Sequence, residues 1–175
     1  MYKHTNNWFL TSSLKNWLTQ ADEHLRQRCN LILEIGSYEG MSSTYLLDTL
    51  CNHKDSKMIC VDPFIMCNKD NFIHNTNLSK NKDKLTLHEI TSDEYFKNCN
   101  YDFDLIYIDG DHTIPFLQRD LKNSWIFLKK GGIIWFDDYL GGHGDFAMKR
   151  AVDETICQWD YDVIHSGYQL AIRKK

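Results

Sequence analysis

The 175-residue chain has only two prolines and nine glycines, which excludes a long Pro/Gly-rich linker. No window approaches the roughly 18 consecutive apolar residues that a membrane-spanning helix needs. Met1 to Leu10 lacks the apolar core and small-residue cleavage site of a signal peptide. Basic residues are not in excess: 20 Lys plus Arg stand against 24 Asp plus Glu, a net charge of −4. That balance provides no electrostatic footprint for nucleic acid or an anionic membrane surface. The six cysteines are widely and irregularly spaced, with no C-x-x-C pair for zinc, so reduced thiols in a cytoplasmic protein are expected.

The remainder describes a folded domain. Hydrophobic residues at 42% and charged residues at 25% are ordinary for a globular chain. One domain is expected over residues 1–175, an N-terminal helical segment (1–30) preceding a core (31–175). Short apolar runs at Leu31 to Ile35, Lys57 to Val61, Leu85 to Ile90, Phe103 to Ile108 and Gly132 to Phe136 read as strands. Leu10 to Arg28, Met41 to Leu50, Ile114 to Leu128 and Phe146 to Trp159 carry helical spacing. Tyr161 to Ile164 and Tyr168 to Arg173 read as a closing hairpin. Strands alternating with helices predict an α/β fold: a doubly wound, Rossmann-like, mostly parallel sheet with an antiparallel edge hairpin.

Ligands of such sheets bind beyond the carboxyl ends of the strands. In this chain those positions collect polar and acidic residues: Gly36 to Gly40, Asp62, Thr91 to Asp93, Asp109 to His112 and Asp137 to Gly144. Gly36 and Gly40 permit a sharp strand-to-helix turn with close approach to a ligand, and by themselves are equally consistent with a bare turn. Their spacing is neither the Gly-x-Gly-x-x-Gly of a dinucleotide site nor a P-loop. Asp62, ending the second strand, is placed to accept bonds from ribose hydroxyls or to cap the following turn.

Glu34-x-Gly36-x-x-x-Gly40, followed by an acidic residue ending strand two, resembles the class I S-adenosylmethionine-dependent methyltransferases. The resemblance covers Leu31 to the C-terminus and implies a seven-stranded sheet. It implies that Gly36, Ser37, Tyr38 and Gly40 bracket the methionine and sulfonium, and that Asp62 holds the ribose. Thr91, Ser92 and Asp93 fall where that family contacts adenine; Glu34, Ser42 and Asp109 complete the implied cofactor-binding set.

Asp109, Asp137 and Asp138 are expected to crowd together if strands four and five are neighbours, roughly 5 Å apart. No Lys or Arg lies in either loop to balance them, so a divalent cation is the simplest compensation, Mg²⁺ first and Mn²⁺ or Ca²⁺ as substitutes. The bland alternative is a set of solvated loop carboxylates, with Asp111 capping the helix from Thr113. The Asp109-Gly110-Asp111-His112 run and the Asp137-Asp138 pair resemble the metal-dependent O-methyltransferases, the sugar-modifying branch more than the catechol type. The catechol type has Asn at the place of Asp138 and a lysine base, and no lysine lies in these loops. The resemblance implies ligation by Asp109, Asp137 and Asp138, with Asp111 as the favoured base and His112 as the second choice.

The expected reaction is methyl transfer to a hydroxyl of a sugar or polyol. The competing readings are a catechol-like acceptor and a cofactor-binding domain without catalysis. Trp8, Phe9 and Trp17 and the Tyr139 to Gly144 loop are expected to shape a shallow acceptor site, open or completed by a second copy in a homo-oligomer.

Overall fold

The computed structural model describes residues 1–16, 25, 26, 28, 30–141 and 146–175. The strands are β1 (Leu31–Ile35), β2 (Lys57–Val61), β3 (Leu85–His88), β4 (Phe103–Ile108), β5 (Leu128–Phe136), β6 (Tyr161–Ser166) and β7 (Leu170–Lys174). They form one sheet in the order β3-β2-β1-β4-β5-β7-β6. The first five pair parallel with one another, while β7 pairs antiparallel with both β5 and β6. The second strand of the terminal hairpin therefore slots into the sheet and the first becomes the edge. Ile134 pairs with Ile172, which puts the apolar β7 inside, whereas β6 carries His165 and Asp162 and tolerates an edge.

The helical elements are α1 (a π-helical turn Phe9–Ser13 running into Leu14–Asn16), α2 (Met41–Leu50), α3 (Lys69–Thr76), α4 (Ser92–Lys97), α5 (Ile114–Ile126) and α6 (Ala147–Ile156). Strand alternation sorts the core into two layers. Ile32, Met58, Leu105, Tyr107 and Trp135 face α1, α2 and α3 through Phe9, Leu46, Leu47 and Phe72. Leu33, Ile59, Ile106, Ile108 and Phe136 face α4, α5 and α6 through Tyr95, Phe96, Leu121 and Val152.

Three expectations need correction. The third strand ends at His88, and the fifth begins at Leu128 and runs through Gly131-Gly132. Helices α3 and α4 were not anticipated because neither has an apolar stripe long enough to show. Both are marked by caps instead: the Asn68 side chain accepts from Asp70 N, and Thr91 and Glu94 form a capping box. Of the helix expected at Leu10 to Arg28, residues 17–24 and 27 lie outside the described residues. No described helix is long and apolar enough to cross a membrane.

Candidate active site

The chain reverses direction across the sheet between β1 and β4, and the loops above that point build the site. The parallel ladder continues past the strand ends, with Asp109 N donating to Ile35 O at 2.8 Å and Asp137 N to Ile108 O at 2.9 Å. Gly36 sits against this edge with φ +82°, and an added Cβ would lie 1.9 Å from the Asp109 carbonyl oxygen. The residue must be glycine for the two loops to touch. Beyond it, Asp62 Oδ2 accepts from Ser37 N (2.9 Å) and Tyr38 N (2.8 Å), and Oδ1 accepts from Phe64 N (2.6 Å). Asp62 thus shapes the glycine loop directly. Tyr38 is held at φ +47°, a strained value for a bulky residue.

Glu34 lies in the interior, fully buried, with Ser43 Oγ and Cys60 Sγ donating to its Oε2. Burial raises its pKa, opposed by the hydroxyls of Ser42, Ser43 and Ser37. Ser37 and Ser42 are buried with it, so these three residues support the loop from beneath.

At the ends of β4 and β5 the group brought together is Asp109, His112 and Asp138, whose ligand atoms lie within 4.8 Å of one another. His112 Nε2 is 3.6 Å from Asp109 Oδ1 and 3.2 Å from Asp138 Oδ2. Tyr168 donates its hydroxyl to Asp138 Oδ1. Burial pushes the Asp109 carboxyl well above its usual range, reinforced by the charges of Asp137 and Asp138. Asp138 is raised for the same two reasons, burial first and then Asp137. The hydrogen bond to Asp109 raises the His112 pKa, and the charge of Asp138 adds to it. All three directions say that the group holds more negative charge than its surroundings favour.

Asp137 is not in this group, contrary to the expected three-carboxylate crowd. Its Oδ2 accepts from Tyr107 Oη (2.6 Å) and Ser13 Oγ (2.7 Å), and its Oδ1 from Asp138 N (2.9 Å). The reason is strand parity. Asp137 follows Trp135 by two and shares its face, the layer of Tyr107 and Phe9. Asp138 then turns to φ +53°, leaving the strand direction, and its carboxylate reaches His112. His112 stands within the group as a third partner, with Nε2 nearer to Asp138 than to Asp109. Asp111, the favoured base, is exposed and accepts from Thr113 N at 2.7 Å, a turn that leads into α5 rather than a cap on it, since Thr113 is itself the N-cap.

On the α4 side, Thr91 is engaged in the capping box with Glu94. Asp93 accepts from Arg119 Nε with both oxygens, at 3.2 and 3.0 Å. Trp17 and residues 142–144 of the expected acceptor loop lie outside the described residues.

A sequence profile described as "Methyltransferase domain" matches residues 33–139, which takes in the loops from Gly36 through Asp138. The chain belongs to this methyltransferase family. Protein R132 of Acanthamoeba polyphaga mimivirus is 29% identical to the methyltransferase over 137 residues, 71% of this chain and 58% of that protein. The chain thus spans less than two thirds of that relative's length. Among solved structures, the fold is similar to that of the O-methyltransferase TomG from Streptomyces achromogenes. That match has a TM-score of 0.71 at 16% identity, over 94% of this chain and 82% of that one. An O-methyltransferase from Bacillus cereus matches with a TM-score of 0.70 at 15% identity and the same coverages. At these identities the likeness shows the fold.

The N-terminal residues of the methyltransferase cross its glycine loop as a strap that sequence reasoning did not resolve. Asn75, fully buried on α3, accepts from Lys3 N (2.7 Å) and donates to Lys3 O (2.6 Å) and Glu39 O (2.8 Å). Thr5 N donates to Glu39 Oε2 at 2.7 Å, and the Trp8 and Tyr38 rings lie 5.6 Å apart. Phe9 packs against Tyr107, and Ser13 reaches Asp137. Asn75→Ala is expected to cost about 2 kcal/mol, the scale for losing several hydrogen bonds at a buried side chain. Limited proteolysis should then cut near Lys3 faster than in the wild type. An unchanged cleavage rate would show that the strap is held by other contacts.

Proposed function

We propose that this methyltransferase moves a methyl group from S-adenosylmethionine to a hydroxyl oxygen of a sugar or polyol, with a divalent cation held at Asp109 and Asp138. The observation that carries the reading is the Asp109, His112 and Asp138 group at the ends of β4 and β5, beside the glycine loop. TomG is described in complex with S-adenosylmethionine and the B. cereus enzyme with its demethylated product, which supports the same donor here. The residues fit a hard cation: two carboxylate oxygens lie close together, partly exposed, in surroundings that disfavour their combined charge. Asp137 Oδ2 is taken by Tyr107 and Ser13, and Oδ1 already accepts from Asp138 N. The sugar or polyol class rests on Asp138 in place of asparagine and on the absence of lysine from both loops.

S-adenosylmethionine supplies a methyl group already activated by a positive sulfur, and a bound cation supplies charge that orients and acidifies a hydroxyl. The chain's part is positioning and proton transfer. Gly36 and Asp62 set the loop that receives the donor. His112 Nε2, facing the acidic pair, takes the proton from the attacking hydroxyl in place of Asp111, whose carboxylate is turned onto Thr113. The Trp8 ring, 5.6 Å from that of Tyr38, lies beside the glycine loop.

The test is a methyl-transfer screen over free sugars, nucleotide sugars and catechols with Mg²⁺. Turnover on the sugar class is expected, abolished by EDTA and restored by Mg²⁺ or Mn²⁺. His112→Gln should lower kcat by about 10² or more, and Asp111→Asn should leave it near the wild-type value. Activity indifferent to EDTA overturns the cation assignment, and full activity of His112→Gln overturns the base.

A further inference from the structure

The terminal hairpin delivers a side chain to the acidic group from 30 residues away in sequence. Strand β7 pairs antiparallel with β5 in a fixed register: Ile134 with Ile172, Trp135 with Ala171 and Phe136 with Leu170. Continued two residues past Phe136, that register sets position 138 opposite position 168. There the Tyr168 hydroxyl donates to Asp138 Oδ1. The main chain secures the same approach, with Leu140 N donating to Tyr168 O at 3.2 Å and Gly141 N to Asp138 O at 2.8 Å. Residue 168 is therefore held beside the acidic loop by its backbone as well as by its phenol.

The two oxygens of Asp138 have different partners. Oδ1 carries the Tyr168 hydroxyl, whereas Oδ2 faces the group, 3.2 Å from His112 Nε2. Asp109 Oδ1 lies 3.6 Å from the same nitrogen. A cation drawn to the two carboxylates meets Asp138 through one oxygen, because the other already holds a donor.

We infer that Tyr168 is a positioning residue that makes Asp138 a one-oxygen ligand, and so tilts the choice of cation toward Mg²⁺ and away from Ca²⁺. The inference rests on the cation proposed above. Mg²⁺ is small, demands near-octahedral geometry and keeps several of its waters, so a carboxylate bound through one oxygen suits it. Ca²⁺ takes about six to eight oxygens and readily uses both oxygens of one carboxylate. A donor on Oδ1 withholds the second oxygen. Hydrogen bonds that orient a ligating carboxylate also carry affinity, and losing one costs about 10–100-fold.

Calorimetry on the full chain with MgCl2 and CaCl2 reads this without turnover. Tyr168→Phe keeps the ring and the main chain and removes only the donor. Its Mg²⁺ affinity should fall about tenfold while that for Ca²⁺ holds or rises, so the Ca²⁺-to-Mg²⁺ affinity ratio climbs at least about tenfold. Tyr168→Leu, which removes the ring as well, should move the ratio in the same direction. A merely structural role would weaken both cations together and leave the ratio as it was, which would overturn the proposal. Unchanged binding of both cations by Tyr168→Phe would also overturn it, and would leave the cation assignment standing provided that Asp138→Asn weakens Mg²⁺. Wild-type protein that binds neither cation, or Asp138→Asn that binds Mg²⁺ as tightly as the wild type, would overturn the cation assignment and this proposal with it.

Discussion

Gly36→Ala is expected to destabilise the protein by more than about 4 kcal/mol, at the diagnostic end of the range for single substitutions. Two costs combine. The backbone sits at φ +82°, where a Cβ costs about 1–2 kcal/mol. The larger cost is steric, because the new carbon would lie 1.9 Å from Asp109 O, 2.5 Å from its carbonyl carbon and 2.8 Å from Gly110 Cα. These are backbone atoms just past the end of the central strand β4, held by Asp109 N to Ile35 O, so they cannot swing aside as a side chain would. Gly131 is the natural control. It has nearly the same φ, +78°, and nothing within 4 Å of its added Cβ. Gly131→Ala should therefore cost only the backbone share, about 1 kcal/mol. Urea unfolding of the two variants measures the difference, and equal losses would show that the close approach of β1 and β4 is not what requires glycine.

The second large effect is at Asp137. Removing its carboxylate in Asp137→Ala strands the hydroxyls of Tyr107 and Ser13 in the interior, together with the Asp138 N–H. Each buried donor left unmatched costs about 1–3 kcal/mol, so a loss of roughly 3–5 kcal/mol is expected. The Tyr107 ring is wholly buried, and burial, followed by the charge of Asp137, holds its hydroxyl well above the usual phenol range. It stays a donor. A mutant cycle isolates the network from the cavity. In a Tyr107→Phe, Ser13→Ala background the donors are gone, and Asp137→Ala should cost at least about 1 kcal/mol less than in the wild type. Additive losses would mean that Asp137 acts alone and that the strap does not communicate with the acidic group through Ser13.

The agreement between sequence and structure is uneven, and the unevenness has physical causes. Strands β1, β2 and β4 were legible to the residue because buried parallel strands are continuous apolar runs with polar residues at both ends. The loops after them were legible because glycine and aspartate have few other uses at those places. Helices α3 and α4 were illegible by periodicity, since one has two buried aromatic or polar contacts per turn at most and the other is six residues long.

Order along the chain was enough to determine the alternation of strands and helices, the family-like spacing from Glu34 to Asp62, and the positions of the acidic loops. These follow from local pattern, since burial on two sheet faces and tight turns each leave a short-range mark. Which carboxylates meet was decided only by the tertiary structure. Strand parity sends Asp137 to Tyr107 and Ser13, a left-handed residue sends Asp138 to His112, and the N-terminal strap closes over the glycine loop from 34 residues away in sequence. Direction out of a strand end depends on the next backbone angle and on what packs behind it, and neither is written in the spacing of residues along the chain.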